Sequence, residues 1–344
     1  SVGAVNARGI IQNNDLDRYN FSVRNTTSML NDKLTMDLSF MYSNVKEQNM
    51  LSQGEYANPL VPVYLFPRGD DFSKYQYYER YDVDRNIKTQ FWPLKENGLS
   101  MQNPYWITNR NMYTNKKDRF LASGSLKYTI TDWLNVSGRV KLDKETINSE
   151  KKMYASTLNV IAENSDKGAY VQSNKNTSQI YADAMLNINK YFYHDTWNLT
   201  ASLGASLLDL DYKELNFGGG LLTIPNLFTS NNANVSGKLT YKNTNYHDRT
   251  NSLFGTFSLG YKGMVYVDGS LRNDWISALA GTNHSSILYP SIGASAILTN
   301  MFTMKSNILS YAKVRLSYSE VGNAPERFRA ITTYAVLGGL NTTS

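Results

Sequence analysis

Residues 120–142 change chemistry at every second position. Phe120, Ala122, Gly124, Leu126, Tyr128 and Ile130 form one series; Ser123, Ser125, Lys127 and Thr129 form the other, with Leu121 the apolar exception. After Thr131-Asp132 the pattern resumes, with Leu134, Val136, Val140 and Leu142 against Asn135, Ser137, Arg139, Lys141 and Asp143. Successive side chains of a strand point to opposite faces, so this stretch predicts a hairpin that is apolar on one face and charged on the other. Segments of about ten residues with this alternation recur along the chain, paired by short turns and separated by long polar stretches. A water-soluble sandwich keeps strands near about five or six residues and balances its loops. Long strands, short turns at one end and long loops at the other predict an all-β fold, a transmembrane antiparallel β-barrel.

Five hairpins can be placed. The first runs over about residues 19–30, turns at Asn31-Asp32 and returns over 34–45. Asn and Asp tolerate the left-handed backbone of a tight turn. The second is the pair described above. The third covers 179–191 and 197–210 around His194-Asp195, and the fourth turns at Lys262-Gly263. The fifth covers 288–298 and 311–319, and a last strand is expected near Phe328. Polar loops are expected over 148–177 and from the end of the third hairpin to about Asp248. A much longer insertion, 46–117, separates the first two hairpins.

Mean hydropathy is −0.44. This does not exclude a barrel, because only alternate strand residues face lipid. No run approaches the 18 or more apolar residues of a membrane helix. Cysteine is absent, which removes disulfides, thiol nucleophiles and Cys-based metal sites. The formal charge of +6 is spread along the chain with carboxylates nearby, which reads as a solvated surface or lumen and not as a nucleic-acid stripe. Ser1-Val2-Gly3-Ala4 carries no visible export signal, and Leu340-Asn341-Thr342-Thr343-Ser344 reads as a polar loop. The expectation is an internal piece of a longer protein.

The 43 aromatics, 25 Tyr, 13 Phe and 5 Trp, gather in two places. Beside the short turns stand Tyr128, Trp133, Tyr191, Phe192, Tyr193, Trp197, Tyr261 and Tyr266, where an interfacial girdle is expected. Within the insertion stand Tyr75, Tyr77, Tyr78, Tyr81, Trp92, Tyr105 and Trp106. Flat rings with polar edges suit a sugar or a protein lid, and equally suit the packing of the loop's own core. Trp92, Tyr105 and Trp106 are the leading expected anchors. On the polar strand faces, Arg139, Lys141, Arg272, Lys313 and Arg315 are expected to line a lumen, as general solvation or as substrate selection.

Several motifs resemble the SusC/RagA family of TonB-dependent (TonB-linked) outer-membrane transporters. They are Tyr64-Leu65-Phe66-Pro67-Arg68-Gly69, Gln102-Asn103-Pro104-Tyr105-Trp106-Ile107, and Asp118-Arg119-Phe120 followed by Thr131-Asp132-Trp133-Leu134. Gly269-Ser270-Leu271-Arg272-Asn273-Asp274 and Lys313-Val314-Arg315-Leu316-Ser317-Tyr318 with Val321-Gly322-Asn323 extend the likeness. The resemblance implies a plugged barrel of about 22 strands, of which this chain would supply about 10–11. It places 1–344 within one barrel domain, without the plug or the barrel closure. It also implies import of glycans or oligopeptides, a SusD-like surface lipoprotein as lid, coupling to the TonB complex through a missing N-terminal region, and contact with outer-membrane lipid. A metal-chelate receptor or a passive porin is the alternative.

Little supports catalysis, cofactor binding or a metal site. His194 falls in a turn, and His247 and His284 fall in or near loops, with no nucleophile motif around them. Asp209 and Asp211 share a strand face but lack a wider calcium ligand set. Gly218-Gly219-Gly220 lacks the Lys-Ser/Thr of a phosphate loop and reads as a flexible bend.

Overall fold

The alternating segments pair edge to edge into one antiparallel sheet. The computed structural model describes residues 1–50, 56–92, 101–234, 242–302, 309–327 and 329. In chain order the strands are β1 (Val2–Arg8), β2 (Asp15–Met29), β3 (Leu34–Gln48), β4 (Glu79–Asp82), β5 (Ile87–Gln90), β6 (Asn111–Thr131), β7 (Leu134–Tyr154), β8 (Gly168–Phe192), β9 (Trp197–Gly220), β10 (Lys242–Tyr261), β11 (Val265–Ile276), β12 (Ser286–Ile297) and β13 (Lys313–Ser319). Eleven of these form the main sheet, each beside its sequence neighbour, while β4 and β5 make a separate hairpin. Among the described residues there are three short α-helices: α1 (Leu60–Tyr64), α2 (Pro104–Arg110) and α3 (Leu298–Met301). None is long and apolar enough to cross a membrane.

The short turns follow from local chemistry. Asn31 and Asp32 take φ of 55° and 65°, His194 and Asp195 take 53° and 60°, and Lys262 and Gly263 take 49° and 66°. Consecutive left-handed residues match the right-handed twist of the flanking strands, so such turns close long hairpins without splaying them.

The ladder fixes which residues share a face. Leu34, Met36, Leu38, Phe40 and Tyr42 of β3 oppose Tyr128, Leu126, Gly124, Ala122 and Phe120 of β6. That series continues through Val136, Val140 and Leu142 on β7 to Ile180, Ala182, Ala184, Leu186 and Ile188 on β8. It then reaches Leu199, Leu203 and Leu207 on β9, Leu253, Phe257 and Leu259 on β10, and Val267 and Leu271 on β11. On β7, β8 and β9 the run is about nine residues, enough to cross the hydrocarbon layer as a tilted strand. The runs lie side by side as one band. The band is bare: Val140 is 55% exposed, Leu203 58% and Leu271 52%. A contiguous apolar face of this size is not solvated by water in a stable protein.

Two expected loops are largely strand. β7 continues to Tyr154 and β8 begins at Gly168, so the expected loop at 148–177 shrinks to 155–167. β9 runs to Gly220 and β10 begins at Lys242. In these extensions polar residues stand on both faces and the apolar ones no longer alternate regularly, so the period-two signal is lost although the ladder persists. The insertion likewise ends at Asn111, where β6 begins. β1 was not expected, and the strand sought near Phe328 lies outside the described residues. The three glycines are not a flexible bend. They end β9, paired with Val171, Tyr170 and Ala169, and a Cβ on Gly218 would collide with the Tyr170 carbonyl.

Candidate functional site

The polar face of the sheet is a single continuous wall. Ser137, two residues from Arg139, opposes Met185; Met185 opposes Gly204, Gly204 opposes Phe254, and Phe254 opposes Arg272. Arg272 opposes Tyr289, and the same series carries Ser295 opposite Arg315 and Ile297 opposite Lys313. Lys141 pairs with Ser123 on this face. The register thus puts Arg139 and Lys141 of β7, Arg272 of β11, and Lys313 and Arg315 of β13 on one face, opposite to the apolar band and spread across seven strands.

Charges on the wall are cross-linked. Arg139 donates through Nη2 to Asp183 Oδ2 at 2.6 Å, and the Asp183 side chain is only 5% exposed. Arg119 forks onto Asp143, and Arg24 reaches Asp37 at 2.9 Å. Arg272 donates to Asp274 Oδ1 at 2.7 Å and to Ser252 Oγ at 2.9 Å, with its guanidinium 5.5 Å from the Phe254 ring centre. Phe254 occupies the space above Gly204, where a Cβ would come within 2.7 Å of the ring. The wall therefore alternates fixed ion pairs with small apolar shelves, a surface that can pass polar and apolar groups in turn.

The girdle is narrower than its sequence suggests. Phe192, Trp197 and Tyr261 oppose one another on the apolar face, with ring centres 6.4 Å and 4.8 Å apart. Tyr191 and Tyr266 fall on the other series and face the polar wall, because each is one residue out of phase with the band.

The insertion folds on its own aromatic core. Tyr75, Trp92 and Met101 are buried together, with Phe66, Phe72 and Phe91 packed around them. Tyr75 meets Trp92 edge-on at 5.3 Å and donates its hydroxyl to Asp70 at 2.8 Å. Trp106 is fully buried and donates its indole N–H to Thr157 Oγ1 at 3.0 Å. Tyr75, Trp92 and Trp106 are therefore internal packing and not surface anchors. Tyr78 and Tyr105 are half-buried, against Trp106 and Phe72. Tyr77 and Tyr81 alone of the seven are open, at 65% and 59% exposure.

Residues not singled out as contacts hold this platform. Asn103 caps α2 by accepting the Tyr105 N–H at 2.8 Å, and its amide donates to the carbonyls of Tyr75 and Phe91. Pro104 occupies the first helical turn, where a missing N–H costs nothing. Gln102 accepts the Leu158 N–H and Gln90 grips Ser156, tying the insertion to the connection between β7 and β8. The Asn-Pro pair was a legible capping signal. Glu79 accepts from Lys88 at 2.6 Å and from Arg110 at 2.6 Å. Burial raises the Glu79 carboxyl, but these two cations outweigh it and hold the group below its ordinary range.

Elsewhere, Asp209 accepts from His247 at 2.8 Å and from Arg249, and Asp211 pairs with Lys213. Among the described residues no cluster of three or more His, Cys, Asp or Glu could hold a metal ion.

An antiparallel wall with a membrane-thick apolar band outside, paired charges inside, and a folded platform at the long-loop end has the architecture of an outer-membrane β-barrel. Its fold is that of the barrel wall of RagA-like TonB-dependent transporters. The RagAB peptide transporter matches over 90% of this chain and 33% of its own, at 17% identity and TM-score 0.67. The RagAB peptide importer in its closed-closed state matches over 92% and 34%, at 16% identity and TM-score 0.63. The ferric-catecholate import receptor Fiu from K12 E. coli, closed form, matches over 92% and 45%, at 11% identity and TM-score 0.52. The chain thus spans about a third of the length of the RagAB structures. No family model and no curated sequence matches it.

Proposed function

We propose that this chain is part of the wall of a TonB-dependent importer that carries oligopeptides or glycans across the outer membrane. The apolar band in register across the sheet carries the reading, since it is the thickness of a bilayer core and is otherwise bare. β1 and β13 are unpaired edges among the described residues. An open edge is not tolerated in hydrocarbon, so the sheet belongs in a closed barrel, which the resemblance to SusC/RagA transporters puts at about 22 strands. Peptide cargo is favoured by the higher structural likeness to the RagAB peptide transporter than to the ferric-catecholate receptor.

The wall provides passage and not bond-breaking. Two of its cations, Arg139 and Arg272, are held by the neighbouring carboxylates of Asp183 and Asp274. A SusD-like lipoprotein would close the long-loop end, with Tyr77 and Tyr81 exposed on the platform to meet lid or cargo. TonB would supply the energy that displaces a plug.

The test uses the complete protein. Epitope tags near Tyr77, Asp166, Asn231 and Thr282 should stain on intact cells, and tags at Asn31-Asp32, Thr131-Asp132, His194-Asp195 and Lys262-Gly263 should not. Uptake of a labelled oligopeptide should require TonB. Recovery in a detergent-free soluble fraction would overturn the barrel. TonB-dependent uptake of a ferric chelate, with peptides and glycans excluded, would move the cargo to the metal-chelate class.

A further inference from the structure

We propose that a cavity on the polar face of the wall, at its long-loop end, holds the C-terminal residue of an oligopeptide cargo, an apolar side chain together with its free carboxylate. The inference deepens the importer reading and rests on it for the class of cargo. The cavity, of about 440 Å³, lies where α2 and the connection between β7 and β8 meet the wall. That size is ordinary for a small-ligand site. Ile107 of α2, Met153 of β7, Ile161, Ile11 and Pro59 give it apolar walls. Tyr113 is directly opposite Lys151 in the ladder, and Asn111 is opposite Met153. All four belong to the series of Ser123 and Lys141, so in a closed barrel the cavity faces the lumen.

Two donors in this cavity lack acceptors. Lys151 is half-buried and is the one charged residue among the described residues that line it. Among the described residues it makes no ion pair and no hydrogen bond. Burial pushes its ammonium below the ordinary range, and Glu163, in the connection, opposes that shift without pairing. The second donor is Asn111. Thr157 accepts from the Trp106 indole, so its hydroxyl proton is directed at Asn111 Oδ1. The amide is thereby oriented, and Nδ2 is buried without a partner. A buried donor left unmet is costly. An apolar enclosure with two unmet donors, one of them cationic, fits an apolar body with an anionic acceptor beside it.

The adjoining surface argues for a peptide end. A groove of about 610 Å³ continues along the same face, shares Tyr113 and Lys151 with the cavity, and passes Ser149, Ser173 and Asn216. Its charge is mixed: Lys117, Lys175 and Lys242 stand with Glu47 and Glu214. Glu214 accepts from Tyr212 at 2.8 Å and from Asn216 at 3.0 Å. The groove therefore suits a polar main chain, and the cavity suits one apolar residue that ends in negative charge. A neutral glycan supplies neither the apolar residue nor the charge.

The test uses the complete transporter in detergent and three peptides with an N-terminal fluorophore, read by anisotropy. They are Ala-Ala-Ala-Leu as the acid, the same peptide as its amide, and Ala-Ala-Ala-Asn as the acid. Wild type should bind the leucine acid about tenfold tighter than either of the others. Lys151→Gln and Lys151→Met should each reduce the preference for acid over amide to about twofold or less, and Lys175→Gln in the groove should leave it unchanged. Ile161→Ser should reduce the preference for leucine over asparagine and keep that for acid over amide. Equal binding of acid and amide by wild type, no binding of any of the three, or an acid preference that persists in folded Lys151→Gln and Lys151→Met would overturn the site. The wild-type comparison needs no variant to fold. TonB-dependent uptake of peptides with no end-group preference removes this site and leaves the importer. Uptake restricted to a ferric chelate removes the peptide cargo, and a leucine acid that still binds in detergent leaves the cavity as a carboxylate site.

Discussion

Trp106 on α2 donates its indole N–H to Thr157 Oγ1, 3.0 Å away in the connection between β7 and β8, and Thr157 in turn donates to Asn111 Oδ1 at 2.7 Å. One buried ring thus fastens the insertion to the rim of the wall.

Trp106→Ala should loosen the platform and spare the barrel. Removing a buried Trp costs about 3–5 kcal/mol through lost burial and the cavity left behind. Hydrogen exchange over residues 101–111 should rise sharply, while the heat-modified gel migration of the complete barrel stays as in wild type. Thr157→Val, which keeps the shape but removes the acceptor, should show a smaller rise of the same kind, worth about 1–3 kcal/mol.

An arginine on the apolar band should be far more costly than a neutral change on the wall. Val140→Arg or Leu203→Arg should lower the free energy of folding into lipid vesicles by about 2–4 kcal/mol near mid-membrane. Lys141→Gln should change it by well under 1 kcal/mol, as surface substitutions do. Denaturant titration in vesicles measures both. Single cysteines at Arg139 and Val140 should divide likewise, the first reacting with a membrane-impermeant thiol reagent and the second not.

The Arg139–Asp183 pair should be lopsided. Arg139 is 42% exposed along its side chain and Asp183 only 5%. Arg139→Ala leaves a buried carboxylate without its cation, a loss of about 3 kcal/mol. Asp183→Ala leaves an arginine that water can reach, a loss nearer about 1 kcal/mol. A double-mutant cycle on vesicle-folded protein would show the asymmetry, and equal losses would contradict it.

The platform should weaken in acid. The Glu79 carboxyl is held below its ordinary value by Lys88 and Arg110 against the opposing pull of burial. A depressed carboxyl stabilises the fold above the unfolded-state value of about 4.3 and loses that contribution as pH falls through the lower, folded value. Proteolysis of the insertion by an acid-tolerant protease should therefore quicken below about pH 4 relative to pH 6. Glu79→Gln should be cut more readily at pH 6 and show a flatter response to acid.

Tyr77 and Tyr81, and not the buried tryptophans, are the contact test. Tyr77→Ala with Tyr81→Ala should reduce lid association or peptide uptake without raising hydrogen exchange at 101–111. Truncated aromatic anchors commonly cost about 2 kcal/mol of binding. Normal uptake and normal partner recovery would remove the platform's open face from the transport path.

The legible part of this fold is where two different solvents meet the same strand. Leu134, Val136, Val140 and Leu142 read clearly against Ser137, Arg139 and Lys141 because lipid lies on one side and water on the other. Past Leu142 polar residues stand on both faces, and Asn148, Ser149 and Glu150 look like loop although they are paired strand. β1 was illegible for a related reason, as Val2, Ala4 and Asn6 differ little in polarity from Gly3, Val5 and Ala7. For the site, composition announced an ordered insertion but could not say which rings point inward. That depended on Asn103, Gln102 and Gln90 meeting backbone groups that are distant in sequence.

β8 runs from Gly168 to Phe192 and pairs on both sides from Ala169 to Ile188, yet its outward apolar run ends at Ile180. The remaining ladder, at about 3.3 Å per residue and tilted, stands roughly 30 Å clear of the lipid. The entrance is therefore a chimney and not a hole in a flat sheet. In the importer proposed above, cargo would be met at a height where large molecules arrive without touching the bilayer, and a lid would have to seal against a raised rim.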